Sequence, residues 1–179
     1  MRPDAPDPNH APTEAPTPLD VAMMRRALAL ADHAATLGEV PVGAVVYPNP
    51  PTPSSPDTAN PHDVQPIAEG INRRETHHDP TGHAEIVALR AAAESLGTWR
   101  LTGYTLAVTL EPCPMCAGAL VNARIDRLVY AAADPKAGYV RSLHNLCDDP
   151  RLNHRLTIIP GVLADPAAAQ LRAFFKARR

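Results

Sequence analysis

Thr109-Leu110-Glu111-Pro112-Cys113-Pro114-Met115-Cys116-Ala117-Gly118-Ala119 joins the end of an apolar strand to the start of a helix through a turn that carries two cysteines. The strand reads from Tyr104 to Leu110 and the helix from about Pro114 to Ala123. Cys113 and Cys116, three apart at a helix start, share one face within reach of a single ion. Pro112 and Pro114 fix the turn, and the positive end of the helix dipole favours thiolates there. Upstream, His83-Ala84-Glu85 opens a second helix, reading from about His83 to Leu96, with Thr81 as its expected cap and Gly97 as its stop. One imidazole and two thiolates fill three tetrahedral positions around zinc and leave the fourth for water. Glu85 lies about 200° from His83 on a helical wheel, so it need not bind metal and can carry protons instead. Alone, the CxxC pair also fits a redox couple or half of a structural zinc knuckle, and His-x-Glu alone carries little. Together they favour hydrolysis: redox chemistry leaves Glu85 without a task, and a closed structural site lacks a fourth ligand. His77 and His78, the nearest spare imidazoles, read as loop residues.

Working outward, 179 residues suit one domain with a sizeable core. With 45% apolar but only 4% aromatic residues, alanine and the aliphatics must fill that core. No run approaches the roughly 18 apolar residues of a membrane span. The opening Met1-Arg2-Pro3-Asp4 has no apolar signal region, and three cysteines make no disulfide framework, so a cytoplasmic setting is expected. Net charge is -2 and pI about 6.4, against broad nucleic-acid affinity. That average hides an asymmetry. Arg151, Arg155, Arg172, Lys176, Arg178 and Arg179 meet only Asp165 in the last stretch, which could face phosphates locally.

Residues 1–18 hold six prolines, and 48–66 hold seven more among polar residues. Both are expected to be disordered, the second as an expanded hairpin loop. Asp20 is the expected N-cap of a helix through about Leu37, closed by Gly38. Val42 to Tyr47, Ile67 to Ile71, Arg127 to Ala132 and Leu156 to Pro160 read as further strands, and Pro166 to Lys176 as the last helix. Strands alternating with helices give an α/β sandwich with helices covering a mixed sheet. Cys147 reads as a partly buried free thiol, Trp99 as packing, and at least one of Phe174 and Phe175 as core.

Further blocks occur in order around the cysteine turn: Glu39-Val40-Pro41-Val42-Gly43-Ala44-Val45, Asn72-Arg73, His78-Asp79-Pro80-Thr81-Gly82-His83-Ala84-Glu85 and Asp134-Pro135-Lys136-Ala137-Gly138. With Thr109–Ala119 they resemble the bacterial tRNA adenosine deaminase family, in the zinc-dependent cytidine/deoxycytidylate deaminase superfamily. The resemblance implies a three-layer cytidine deaminase-like fold with a mixed five-stranded sheet flanked by helices. The resemblance runs from about residue 20 to 179, which with the composition gives a Pro-rich N-terminal tail over 1–18 and a deaminase domain over 19–179 with a Pro-rich insertion at 48–66. It implies one zinc ion per subunit on His83, Cys113 and Cys116, with Glu85 as proton shuttle while zinc hydroxide attacks C6 of a flipped wobble adenosine. Asn72 would hydrogen-bond the nucleoside; Ala84, Asp134, Lys136, Phe174 and Phe175 complete the substrate-binding set. The family is homodimeric and acts on a tRNA anticodon stem-loop.

Some positions depart from the family's pattern. Tyr139-Val140-Arg141 stands where small residues are usual, Ala133 where arginine is common, and the 48–66 insertion where a tight turn is usual. Two rival readings remain. A guanine or other free-nucleobase deaminase shares His-Ala-Glu and Pro-Cys-Pro-Met-Cys, but needs no RNA surface. A catalytically silent RNA-binding or structural zinc subunit would not need Glu85.

Overall fold

Residues 14–50 and 64–178 are described by a computed structural model. Pro18, with φ preset for a first helical turn, opens α1 (Pro18–Thr36). Thr17 is its cap, in a capping box with Asp20. The expected cap was Asp20. That residue instead fills the third helical position, where its carboxylate turns inward to Tyr47 and Arg127. Ordered helix thus begins at Pro18, the last residue of the expected tail, and residues 1–13 of that tail lie outside the described residues.

Five strands form one mixed sheet in the order β2-β1-β3-β4-β5. β1 (Gly43–Pro48) pairs antiparallel with β2 (Ala68–Ile71), Gly43 opposite Ile71, and antiparallel with β3 (Tyr104–Leu110). β4 (Arg127–Ala132) and β5 (Thr157–Pro160) continue in parallel from β3. The hairpin expected across the Pro-rich insertion is present as the β1–β2 pair; residues 51–63 of the insertion itself lie outside the described residues.

Side chains alternate across the strands and build two cores. Ala44, Val46, Leu106, Val108 and Leu128 pack toward α2 (Ala84–Leu96) and α3 (Pro114–Ala123). Val45, Tyr47, Ala107, Val129 and Ile159 pack toward α1 and α4 (Ala164–Lys176). The result is the expected three-layer α/β arrangement. Alanines make it close: a Cβ on Gly70 in β2 would overlap the carbonyl of Ala84 and the backbone of Ala88. Only glycine lets the first turn of α2 lie directly on the sheet.

Two packing expectations need correction. Trp99, read as packing, is 60% exposed with the Arg100 guanidinium 5.0 Å from its ring, because α2 ends three residues earlier and the chain turns outward. Cys147, read as partly buried, is wholly buried beside the carbonyl of Ala117 and stands in a short 3-10 turn, Leu146–Asp148.

Candidate active site and metal centre

His83 and Cys113 are the N-caps of α2 and α3, and neither side chain caps its helix. Thr81, the expected cap of α2, instead donates its hydroxyl to Asp79, and its carbonyl accepts the N–H of His83. The imidazole and thiol are thereby left free at two positive helix ends. His83 Nδ1 lies 3.6 Å from Cys113 Sγ and 3.5 Å from Cys116 Sγ. Zinc–nitrogen and zinc–sulfur bonds of about 2.0 and 2.3 Å at a tetrahedral angle place N and S roughly 3.5 Å apart. The three ligand atoms, all within 4.8 Å of one another, fit that spacing. They are the one such His/Cys/Asp/Glu group among the described residues, which therefore offer three ligands and no fourth.

The donor chemistry agrees. Contact with the Cys116 thiol, and then with His83, lowers the Cys113 thiol to about 4. Cys116 is pushed far up, first by its contact with Cys113 and then by burial. The pair therefore shares one proton, which a dication would displace. His83 is raised, chiefly by its contact with Cys113. Glu85 is only 4% exposed, and burial raises its carboxyl above the ordinary range. Its neighbours are its own backbone N–H and Cys116. A carboxyl that burial makes readier to hold a proton, beside three candidate ligands, is suited to taking and returning one.

His83, Glu85 and Cys113 line a cleft of about 910 Å³, while Cys116 is fully buried. Of the remaining expected site residues, Asn72, Ala84, Asp134, Lys136 and Phe175 line it. Phe174 does not. It is 9% exposed, faces the α1 side and lies under the Arg178 guanidinium at 3.5 Å, so it has no free face for a base. Phe175, half exposed, meets Phe174 edge-on at 5.4 Å. Asp134 Oδ1 accepts the backbone N–H groups of Lys136 and Ala137, the turn-forming use of an Asp before Pro. Arg74, Arg172, Lys176 and Arg178 add a basic rim, of which Arg74 had not been expected from the sequence.

Glu111, inside the cysteine stretch, has a role that residue order does not mark. Buried at the end of β3, it accepts N–H groups from Asp134, Val140, Arg141 and Ser142, and the Ser142 hydroxyl. Burial alone would raise its carboxyl, but the Ser142 hydroxyl and these N–H groups hold it below the ordinary value. One carboxylate thus ties the cysteine turn to the whole 134–142 loop. Tyr139-Val140-Arg141, the departure from the family pattern, is absorbed by this fold. Val140 is core, Tyr139 stacks on His144 at 4.4 Å, and Arg141 reaches Asp148 at 3.8 Å. A Cβ on Gly138 would overlap the Glu111 carboxylate. Gly138→Ala is expected to displace the loop, lowering kcat/KM about 100-fold while far-UV circular dichroism is unchanged.

Three metal-type ligands and a buried carboxyl at the floor of a cleft, on a three-layer mixed sheet, define a hydrolase of the cytidine deaminase-like class. A family model described as MafB19-like deaminase matches residues 20–179. A tRNA-specific adenosine deaminase from Haemophilus influenzae is 46% identical over 89% of this chain and 85% of its own length. A solved tRNA:A34 deaminase, studied for A-to-I editing at the wobble position, superposes with a TM-score of 0.73 at 39% identity, over 84% of this chain and 99% of its own. A guanine deaminase from Nitrosomonas europaea superposes at 0.68 with 25% identity, over 91% of this chain and 86% of its own. The chain belongs to the MafB19-like deaminase family and, within it, to the tRNA-specific adenosine deaminases.

Proposed function

We propose that this protein converts the wobble adenosine, position 34 of a tRNA anticodon, to inosine, with one zinc ion per subunit on His83, Cys113 and Cys116. The observation that carries the reading is the ligand triangle with Glu85 at the floor of a basic-rimmed cleft, in a member of the tRNA-specific adenosine deaminases. When bound, zinc supplies Lewis-acid activation of a water at neutral pH. The chain's own residues do the rest. Adenine C6 cannot be attacked within a stack, so the base must be flipped into the cleft. Asn72 and the backbone around Ala84 and Asp134 orient it. Glu85 takes the proton of the attacking water, delivers it to N1, and then serves the departing amine, so that adenosine and water give inosine and ammonia.

Phe175 offers a ring at the cleft mouth on which a neighbouring base can stack. Lys136, Arg172 and Lys176 are placed for phosphates. Substituting alanine for both Arg172 and Lys176 is expected to raise KM for an anticodon stem-loop several-fold and to flatten its salt dependence by about 0.7 per lost phosphate contact. Zinc content should not change; loss of metal would place these residues in the fold, not on the RNA. A homodimer in the cytoplasm fits this reading, and the three cysteines, unpaired with one another, suit a reducing compartment. Among the described residues, no helix is long and apolar enough to cross a membrane.

The test is direct. Zinc-loaded protein is incubated separately with an anticodon stem-loop carrying adenosine 34 and with guanine. Inosine without xanthine supports the proposal, whereas xanthine alone would establish the free-base reading that the guanine deaminase neighbour represents.

A further inference from the structure

Glu39 follows Gly38 just beyond α1 and is completely buried. Its Oε1 accepts the N–H of Glu75 at 3.0 Å and both the N–H and hydroxyl of Thr76 at 2.7 and 2.8 Å. Its Oε2 accepts Asn72 Nδ2 at 2.9 Å. An ionised carboxylate only accepts hydrogen bonds, so Asn72 can satisfy it with the amide nitrogen and not with the amide oxygen. The Asn72 amide is thereby held in one of its two orientations, with its oxygen and second N–H left over beside the cleft that Asn72 lines. A buried amide with an unfixed flip would offer two hydrogen-bond patterns; this one offers a single pattern.

We infer that Glu39 is a positioning residue for the reaction, setting the orientation of the Asn72 amide and so the donor and acceptor pattern shown to the nucleoside. The inference rests on the proposed role of Asn72 in substrate binding. Glu39 does not line the cleft and touches no substrate itself; it acts at one remove, through Asn72. The same carboxylate fixes the 72–76 loop, which carries Arg74 at the cleft rim.

Glu39→Gln separates orientation from simple structure. Three donors meet Oε1, so the new NH2 group goes to the Asn72 side, where it faces another NH2. The Asn72 amide must then turn over, or lose its bond. Two readouts are taken on the zinc-loaded full chain. The first is the Asn72 side-chain amide in a 15N–1H correlation spectrum, identified by its disappearance in Asn72→Asp. The second is steady-state deamination of the anticodon stem-loop. The expected result is a displaced Asn72 amide pair and kcat/KM lowered about tenfold, mainly through KM, with zinc content unchanged. A Thr76→Val control, which removes only one Oε1 donor, should leave KM within about twofold. Unmoved Asn72 resonances, or a wild-type KM, would overturn the inference. If Glu39→Gln does not fold, Glu39→Asp, which keeps the charge but cannot span both sides, takes its place with the same two readouts. If the wild type makes no inosine, the functional reading fails while the amide resonances still decide whether Glu39 orients Asn72.

Discussion

Replacing Glu85 by glutamine is expected to leave zinc at one equivalent per chain and to lower turnover by about 10⁴-fold. That is the upper end of what one positioned proton-transfer group contributes. In the proposed reaction Glu85 serves two proton transfers in succession, and a glutamine can do neither. The substitution is nearly isosteric in a site only 4% exposed, so packing should survive. Metal content by elemental analysis and inosine formation by chromatography check the two halves separately. Loss of zinc would make the carboxylate a ligand, contrary to its absence from the three-atom ligand group.

The second large effect lies at the far end of the sheet. Asp20 is fully buried on α1, where it accepts the Tyr47 hydroxyl at 2.6 Å and two Arg127 nitrogens at 3.0 Å each. Asp20→Ala leaves the Arg127 guanidinium with the Thr105 hydroxyl and the exposed Glu14 in place of its buried partner, which should cost about 3 kcal/mol. For a chain of this size that is roughly 10 °C in Tm. Burial pushes the Asp20 carboxyl up, but Arg127, Tyr47 and the backbone of Thr17 outweigh it and hold it below its ordinary 3.8. A carboxyl lowered by folding stabilises the fold fully above its unfolded value. That stabilisation is lost as pH falls from there through the folded value. Denaturation of the wild type should therefore steepen below about pH 4, and Asp20→Asn should flatten that limb. An unchanged acid limb would mean that another carboxylate controls it.

Much of this was legible from residue order. The cysteine turn, both flanking elements and the three candidate ligands were marked by local signals: prolines beside Cys113, an apolar run before it, and Gly97 after the helix that His83 opens. The cap of α1 was misplaced because Thr17 and Asp20 are both good capping residues, and only the tertiary pull of Arg127 on Asp20 separates them. Adjacent helical positions differ by about 100°, so Phe174 and Phe175 could not be told apart until α4 was docked on α1. The roles of Glu39 and Glu111, both inside quoted blocks, were hidden for a different reason. Their partners are mainly backbone N–H groups of distant loops, and a backbone donor has no residue type to read.

The carboxylate of Glu111 divides the 133–142 loop into a scaffold and a display. Gly138 and the backbone of Asp134 and Val140–Ser142 belong to the scaffold, gripped from below. Ala133, Pro135 and Lys136 stand exposed above it, and two of them line the cleft. On the proposed function, substrate preference can therefore drift by exchange of those outward side chains without disturbing the candidate ligand Cys113, two residues from Glu111. A library aimed at a new nucleic-acid substrate should randomise 133, 135 and 136 and leave Glu111 and Gly138 alone.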